Sequence, residues 1–178
     1  MGKKAPLKVG EKVFFIPHGV GVVDKYEKKN IMGETKDYMI VKIMATEMTV
    51  MLPVEEVIFP SEKIRKISSK KELKEVYKIF DEDDTEIEKN WKTRKENNQQ
   101  RLLAGNLTDF ADIVKTLYEK NKEKPLSYTE KNLIKKVFAF MVNEISIIIN
   151  ENKMNTVSSL LERLGNDVEM NDFLKANF

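Results

Sequence analysis

Few residue types carry chemistry in a protein, and this 178-residue chain is short of most of them. It has no Cys and a single His. Disulfides, thiolate metal sites, thiol nucleophiles and iron–sulfur clusters are therefore excluded together, along with most zinc chemistry. His18 stands between Pro17 and Gly19 with no second His to join it, and reads as a turn residue. Gly19-Val20-Gly21 lacks the Gly-x-x-x-x-Gly-Lys-Ser/Thr context of a phosphate loop and precedes a strand, so a turn or bulge is expected. The acidic run Asp81-Glu82-Asp83-Asp84-Thr85-Glu86-Ile87-Glu88 lacks the central glycine and closing glutamate of a calcium loop and reads as a solvated loop. No catalytic residue, cofactor or metal is expected, and the chain does not read as an enzyme.

Trp91 is the most informative single residue. Its neighbours Lys89, Asn90, Lys92, Thr93, Arg94 and Lys95 are all polar, a rare setting for a core side chain. Two readings stand side by side. The ring packs against another helix, or it stands exposed beside positive charge and stacks on, or wedges between, nucleic-acid bases. Charge distribution bears on the choice. The net charge of +2 conceals a basic block, because residues 89–136 hold 12 Lys and Arg against 6 Asp and Glu. That excess suits a polyanion, although solvated helices also carry such charge.

The elements that must position these residues change character near Ile67. Before it, short β-branched runs separated by turn residues predict strands at Val9–Ile16, Val20 toward Tyr26, Tyr38–Met44 and Met48–Leu52. Asn30–Asp37 reads as a hairpin connection, Pro53 as a strand end, and Val57-Ile58 and Ile64–Ile67 as one or two further short strands. That many strands in so short a segment predict a small antiparallel barrel, since closure removes exposed edges. After Ser68 the apolar period becomes helical. Helices are predicted from a Ser68 or Ser69 cap to Phe80, over Glu88–Leu103 up to Gly105-Asn106, and after a Thr108 cap. A fourth opens on the capping box Ser127–Glu130, and two short ones follow over Val157–Leu164 and Met170–Leu174. The fold class is thus α+β and multidomain: an SH3-like or Tudor-like β-barrel over 1–67, then an all-α domain over 68–178. No apolar run approaches the ~20 residues of a membrane span, and the N-terminus has no apolar stretch of a signal peptide, so a cytoplasmic location is expected.

Several motifs, in order, carry a family resemblance. In the first domain they are Leu7-Lys-Val-Gly-Glu-Lys-Val13, Pro17-His-Gly-Val-Gly21, Gly33-Glu-Thr-Lys-Asp-Tyr38 and Thr49-Val-Met-Leu-Pro53. In the second they are Asn90-Trp91-Lys-Thr-Arg94, Leu102-Leu-Ala-Gly-Asn106, Ile113-Val-Lys-Thr-Leu117 and Leu126-Ser-Tyr-Thr-Glu-Lys131. With these the chain resembles the CarD/CdnL family of bacterial transcription regulators. The resemblance implies a Tudor-like domain that docks on the RNA polymerase β subunit, partly by pairing β-structure. It further implies a monomeric, nucleoid-associated protein whose helical domain contacts promoter DNA without sequence specificity, at the upstream edge of the melted bubble. DNA contacts would fall on Trp91 as a wedge, Asn90, Arg94 and Lys131. Polymerase contacts would fall on Lys29, Ile31, Met51 and Pro53. Other members often carry Arg where this chain has Lys29 and Met51; Lys29 keeps the charge without the planar fork, and Met51 loses it. The alternative from residues alone is an SH3-like interaction adaptor with no DNA role, in which Trp91 is core.

Overall fold

A two-residue turn with positive φ and one strand bulge shape the first part of the chain. The computed structural model describes residues 7–16, 18–57, 63–83 and 85–178; expectations on Met1–Pro6, Pro17, Ile58 and Asp84 lie outside them. The chain divides into two units, Met1–Ile67 and Ser68–Phe178. In the first, β1 (Lys12–Phe15), β2 (Gly19–Ile31), β3 (Glu34–Ile43), β4 (Thr49–Pro53) and β5 (Ile64–Lys66) form one antiparallel sheet in the order β4-β3-β2-β1-β5. This is a Tudor-like β domain. Its core gathers Val13, Phe15, Val23, Met39, Val41, Ile43, Leu52 and Ile64, all buried.

The β2–β3 ribbon is longer than its sequence suggests. Met32 and Gly33 both have positive φ, 56° and 85°, and form a two-residue turn whose twist matches that of the strands. Asn30 accepts the Gly33 N–H at 3.1 Å. The strands therefore run to Ile31 and resume at Glu34, where a loop over 30–37 was expected. Other ends shift for similar local reasons. Lys8 O accepts the Glu11 N–H in a turn, so β1 starts at Lys12 and not at Val9. Val57 ends a 3-10 turn, Val54–Val57, instead of entering a strand.

The bulge lies between Val23 and Lys25, at Asp24, and not at the glycines. Gly21 serves close packing. A Cβ there would lie 2.7 Å from Val41 Cγ1 and 2.9 Å from Lys42 O, so β2 and β3 approach only because it is glycine. Gly21→Ala is expected to destabilise the protein by about 1–3 kcal/mol through overpacking, read as a lower urea midpoint at unchanged m-value.

The second unit is all-α: α1 (Lys70–Asp81), α2 (Trp91–Ala104), α3 (Leu107–Glu123), α4 (Tyr128–Ile149), α5 (Lys153–Leu164) and α6 (Val168–Lys175). Ser69 and Ser127 open α1 and α4 with complete capping boxes to Glu72 and Glu130. Gly105, at φ 69°, ends α2. The next N-cap is Asn106, not Thr108, and its Nδ2 donates to Asp109 Oδ2 at 2.8 Å. Phe80, Phe110, Leu117, Ile134, Phe138 and Met141 are sealed in the core, each worth roughly 1.5–3 kcal/mol of burial. Buried Lys115 donates to Phe80 O at 3.0 Å, at the α1 C-terminus, where a cation meets the helix dipole. Among the described residues no helix is long and apolar enough to cross a membrane.

Candidate functional site

Asn90 determines where α2 begins. Its Oδ1 accepts the Lys92 and Thr93 N–H groups at 2.9 and 3.4 Å, so the helix starts at Trp91 and not at Glu88. Trp91 is the first helical residue and 61% exposed. It is not core. Lys92 Nζ lies 5.7 Å from its ring centroid, and an indole in that place offers a free face to a partner.

Along α2, residues Trp91, Arg94, Lys95 and Asn98 recur at i, i+3, i+4 and i+7 and line one groove of about 770 Å³. The opposite bank comes from the α3–α4 connection and the first turns of α4.

Arg94 departs from the expectation of a phosphate-facing cation. It is 9% exposed. Its Nε and Nη2 both lie 2.9 Å from Glu130 Oε1, and Nη1 donates to Glu88 O at 2.6 Å. A guanidinium held this way ties the start of α2 to the start of α4. Glu130 Oε2 also receives the Ser127 N–H at 3.0 Å, the Ser127 hydroxyl at 2.8 Å and Lys120 Nζ at 3.3 Å. Burial raises the Glu130 pKa, but the Ser127, Arg94 and Lys120 hydrogen bonds outweigh it and bring it from 4.5 to about 2. Lys131 follows directly on α4, half-buried, with its ammonium in no ion pair among the described residues.

The structure thus brings Trp91, Asn90, Arg94 and Lys131 to the adjoining N-termini of α2 and α4. Sequence reasoning missed Asn98, Lys95 and Lys124, which also line the groove. Asn98 falls at i+7 from Trp91, but its burial depends on packing that the local sequence does not show.

The other four expected contact residues share one face of the sheet. Register pairs Ile40 with Met51 and Tyr38 with Pro53, and sets Lys29 opposite Lys36 and Ile31 opposite Glu34. By alternation Lys29, Ile31, Met51 and Pro53 all lie opposite the core face. Ile31 and Met51 are 41% and 43% exposed, on a face where the ion pairs Lys25–Glu27 and Lys36–Glu34 also lie. β4 is an outer strand of the sheet.

Comparison with known proteins agrees with both units. Residues 7–68 match the family described as CarD-like/TRCF RID domain, and residues 75–162 match CarD, C-terminal domain. The chain is also similar to a Bacillus subtilis (strain 168) protein described as "Putative transcription factor YdeB". They are 26% identical over 142 residues, which cover 80% of this chain and 92% of the relative. A Tudor-like domain followed by a helical domain of this kind defines a transcription-related protein, with RNA polymerase interaction as the general role of the first domain. The chain belongs to the CarD/CdnL family.

Proposed function

We propose that this protein is a cytoplasmic, nucleoid-associated transcription regulator that acts as a monomer. Residues 1–67 bind the RNA polymerase β subunit through the β2–β3–β4 face. Residues 68–178 contact promoter DNA and stabilise the open complex. One observation carries the reading: an indole, 61% exposed, opens a cationic helix beside a groove. Lysines hold phosphates without reading sequence, so the DNA contact is weak, salt-dependent and tolerant of promoter sequence. Tethering by the polymerase supplies the missing affinity through effective concentration. Stabilisation then equals the differential affinity for open over closed DNA. Trp91 supplies that difference, because a base it can stack on is uncovered only when the strands part. Asn90 and Arg94 position it, and Lys131 meets phosphate.

The test is the lifetime of polymerase–promoter open complexes with and without the protein. A longer lifetime is expected, and an unchanged one overturns the reading. The polymerase surface is tested separately on the full chain. The double substitution Ile31→Glu, Met51→Glu places charge on two exposed apolar side chains, and retention on immobilised polymerase is expected to fall at least roughly tenfold. DNA affinity stays the same. Unchanged retention removes this face from the interface.

A further inference from the structure

The groove beside Trp91 has a chemistry that the wedge does not use. Its volume of about 770 Å³ falls within the roughly 300–1,000 Å³ of small-ligand pockets. Ile87, Pro125, Leu126 and Leu133 give it apolar walls. Asn98, on the α2 side, is only 4% exposed, yet its carboxamide makes no hydrogen bond among the described residues. Neither of its polar atoms is sealed off without a partner, so their open side is the groove that Asn98 lines. The amide thus presents an uncommitted donor and an uncommitted acceptor, held in place by the burial of the rest of its side chain and open to a ligand from the groove.

The border of the groove says what ligand. It carries five cationic side chains against three carboxylates. Arg94 and Lys120 are committed to Glu130, and Glu88 holds the Asn90 N–H. Lys89, Lys95 and Lys124 are exposed and in no ion pair among the described residues. Apolar walls, one amide inside and free ammonium groups outside match a flat heterocycle joined to phosphates.

We propose that this groove receives one unpaired base of single-stranded DNA next to a duplex junction. Asn98 hydrogen-bonds the base edge, and Lys89, Lys95 and Lys124 hold the flanking phosphates. The proposal rests on the reading that the helical unit meets opened DNA, and it adds a base receptor distinct from the Trp91 ring.

The experiment measures binding of the full-length protein to three labelled DNAs: a forked duplex with unpaired tails, the same fork with abasic sites at the junction, and a blunt duplex. Asn98→Leu keeps the volume close and breaks no hydrogen bond, and its melting temperature checks folding. It is expected to weaken fork binding about fivefold to tenfold, leave blunt-duplex binding unchanged, and bind the abasic fork as the wild type does. Lys124→Ala, on the exposed rim, is expected to weaken binding to the fork and the abasic fork alike, by about two- to threefold, with a shallower salt dependence. Wild-type and Asn98→Leu proteins binding the fork equally would overturn the base receptor, as would Lys124→Ala leaving both forks unaffected. A deoxynucleoside monophosphate that binds as tightly as the fork would assign the groove to free nucleotides and also overturn it. The two readings fail separately. If Trp91→Ala shortens open-complex lifetime while Asn98→Leu leaves fork binding intact, only the receptor is lost. If the wild type does not distinguish fork from blunt duplex, the DNA reading itself falls and the receptor with it.

Discussion

With Trp91→Ala, open complexes formed in the presence of the protein decay about tenfold faster than with the wild type, as expected when one base-stacking contact of roughly 1–3 kcal/mol is removed from the open state alone. The substitution should leave the fold intact. A side chain 61% exposed at the first position of a helix contributes little to the core, and the change in stability stays within about 0.5 kcal/mol. Asn90 still caps α2 through its own Oδ1, so the helix start does not move. Polymerase retention should likewise be unaffected, because Trp91 belongs to the helical unit. Trp91→Phe, with a smaller ring, should fall between the two. The measurement is open-complex half-life after challenge with a competitor. Equal half-lives for wild type and Trp91→Ala would remove the tryptophan from the mechanism.

The second large effect concerns Glu130. Glu130→Gln removes the charge that Arg94 and Lys120 share and leaves a mostly buried guanidinium without its anion. Breaking a fully buried pair costs about 3–5 kcal/mol, and the residual access of solvent here reduces that to about 2 kcal/mol. The pH dependence has a definite sign. The folded carboxyl titrates at about 2 against 4.5 unperturbed, so its stabilisation is complete above about 4.5 and disappears as pH falls toward 2. Wild type and Glu130→Gln should therefore differ in unfolding free energy at neutral pH and converge on acidification. A difference that stays constant down to pH about 2 would show that the ion pairs contribute nothing through Glu130 ionisation. The functional consequence follows from position. Losing this tie frees the start of α2 from α4, so fork binding should weaken in parallel with stability, whereas Trp91→Ala affects binding alone.

Local signals were enough for much of this molecule. A change from period-two to helical apolarity marks the boundary between strands and helices, and the capping boxes at Ser69 and Ser127 place two helix starts. Gly105 marks the end of α2 for the same kind of reason: the residue's own backbone freedom is the signal. Trp91 stood out by its neighbours, and the structure leaves it exposed, as polar surroundings along a helix require.

Features that depend on partners distant in sequence were not legible. The bulge at Asp24 switches the core-facing parity of β2, from Gly21 and Val23 to Tyr26. Only that switch puts Lys29 and Ile31 on the outer face with Met51 and Pro53. Nothing in the alternation of β2 announces it, because the bulge is fitted to strand β3. Gly21 looked like a turn residue for the same reason: its constraint comes from Val41 and Lys42. Arg94 looked like a free cation until Glu130, 36 residues later, took its guanidinium. Asn98 is an ordinary amide in an ordinary polar run until α3 and α4 close around it. The residues alone thus determined which elements form and which side chain is conspicuous. Tertiary structure decided which cations remain free, which face is outward and where a groove lies, because burial and pairing belong to surfaces brought together and not to any one stretch of chain.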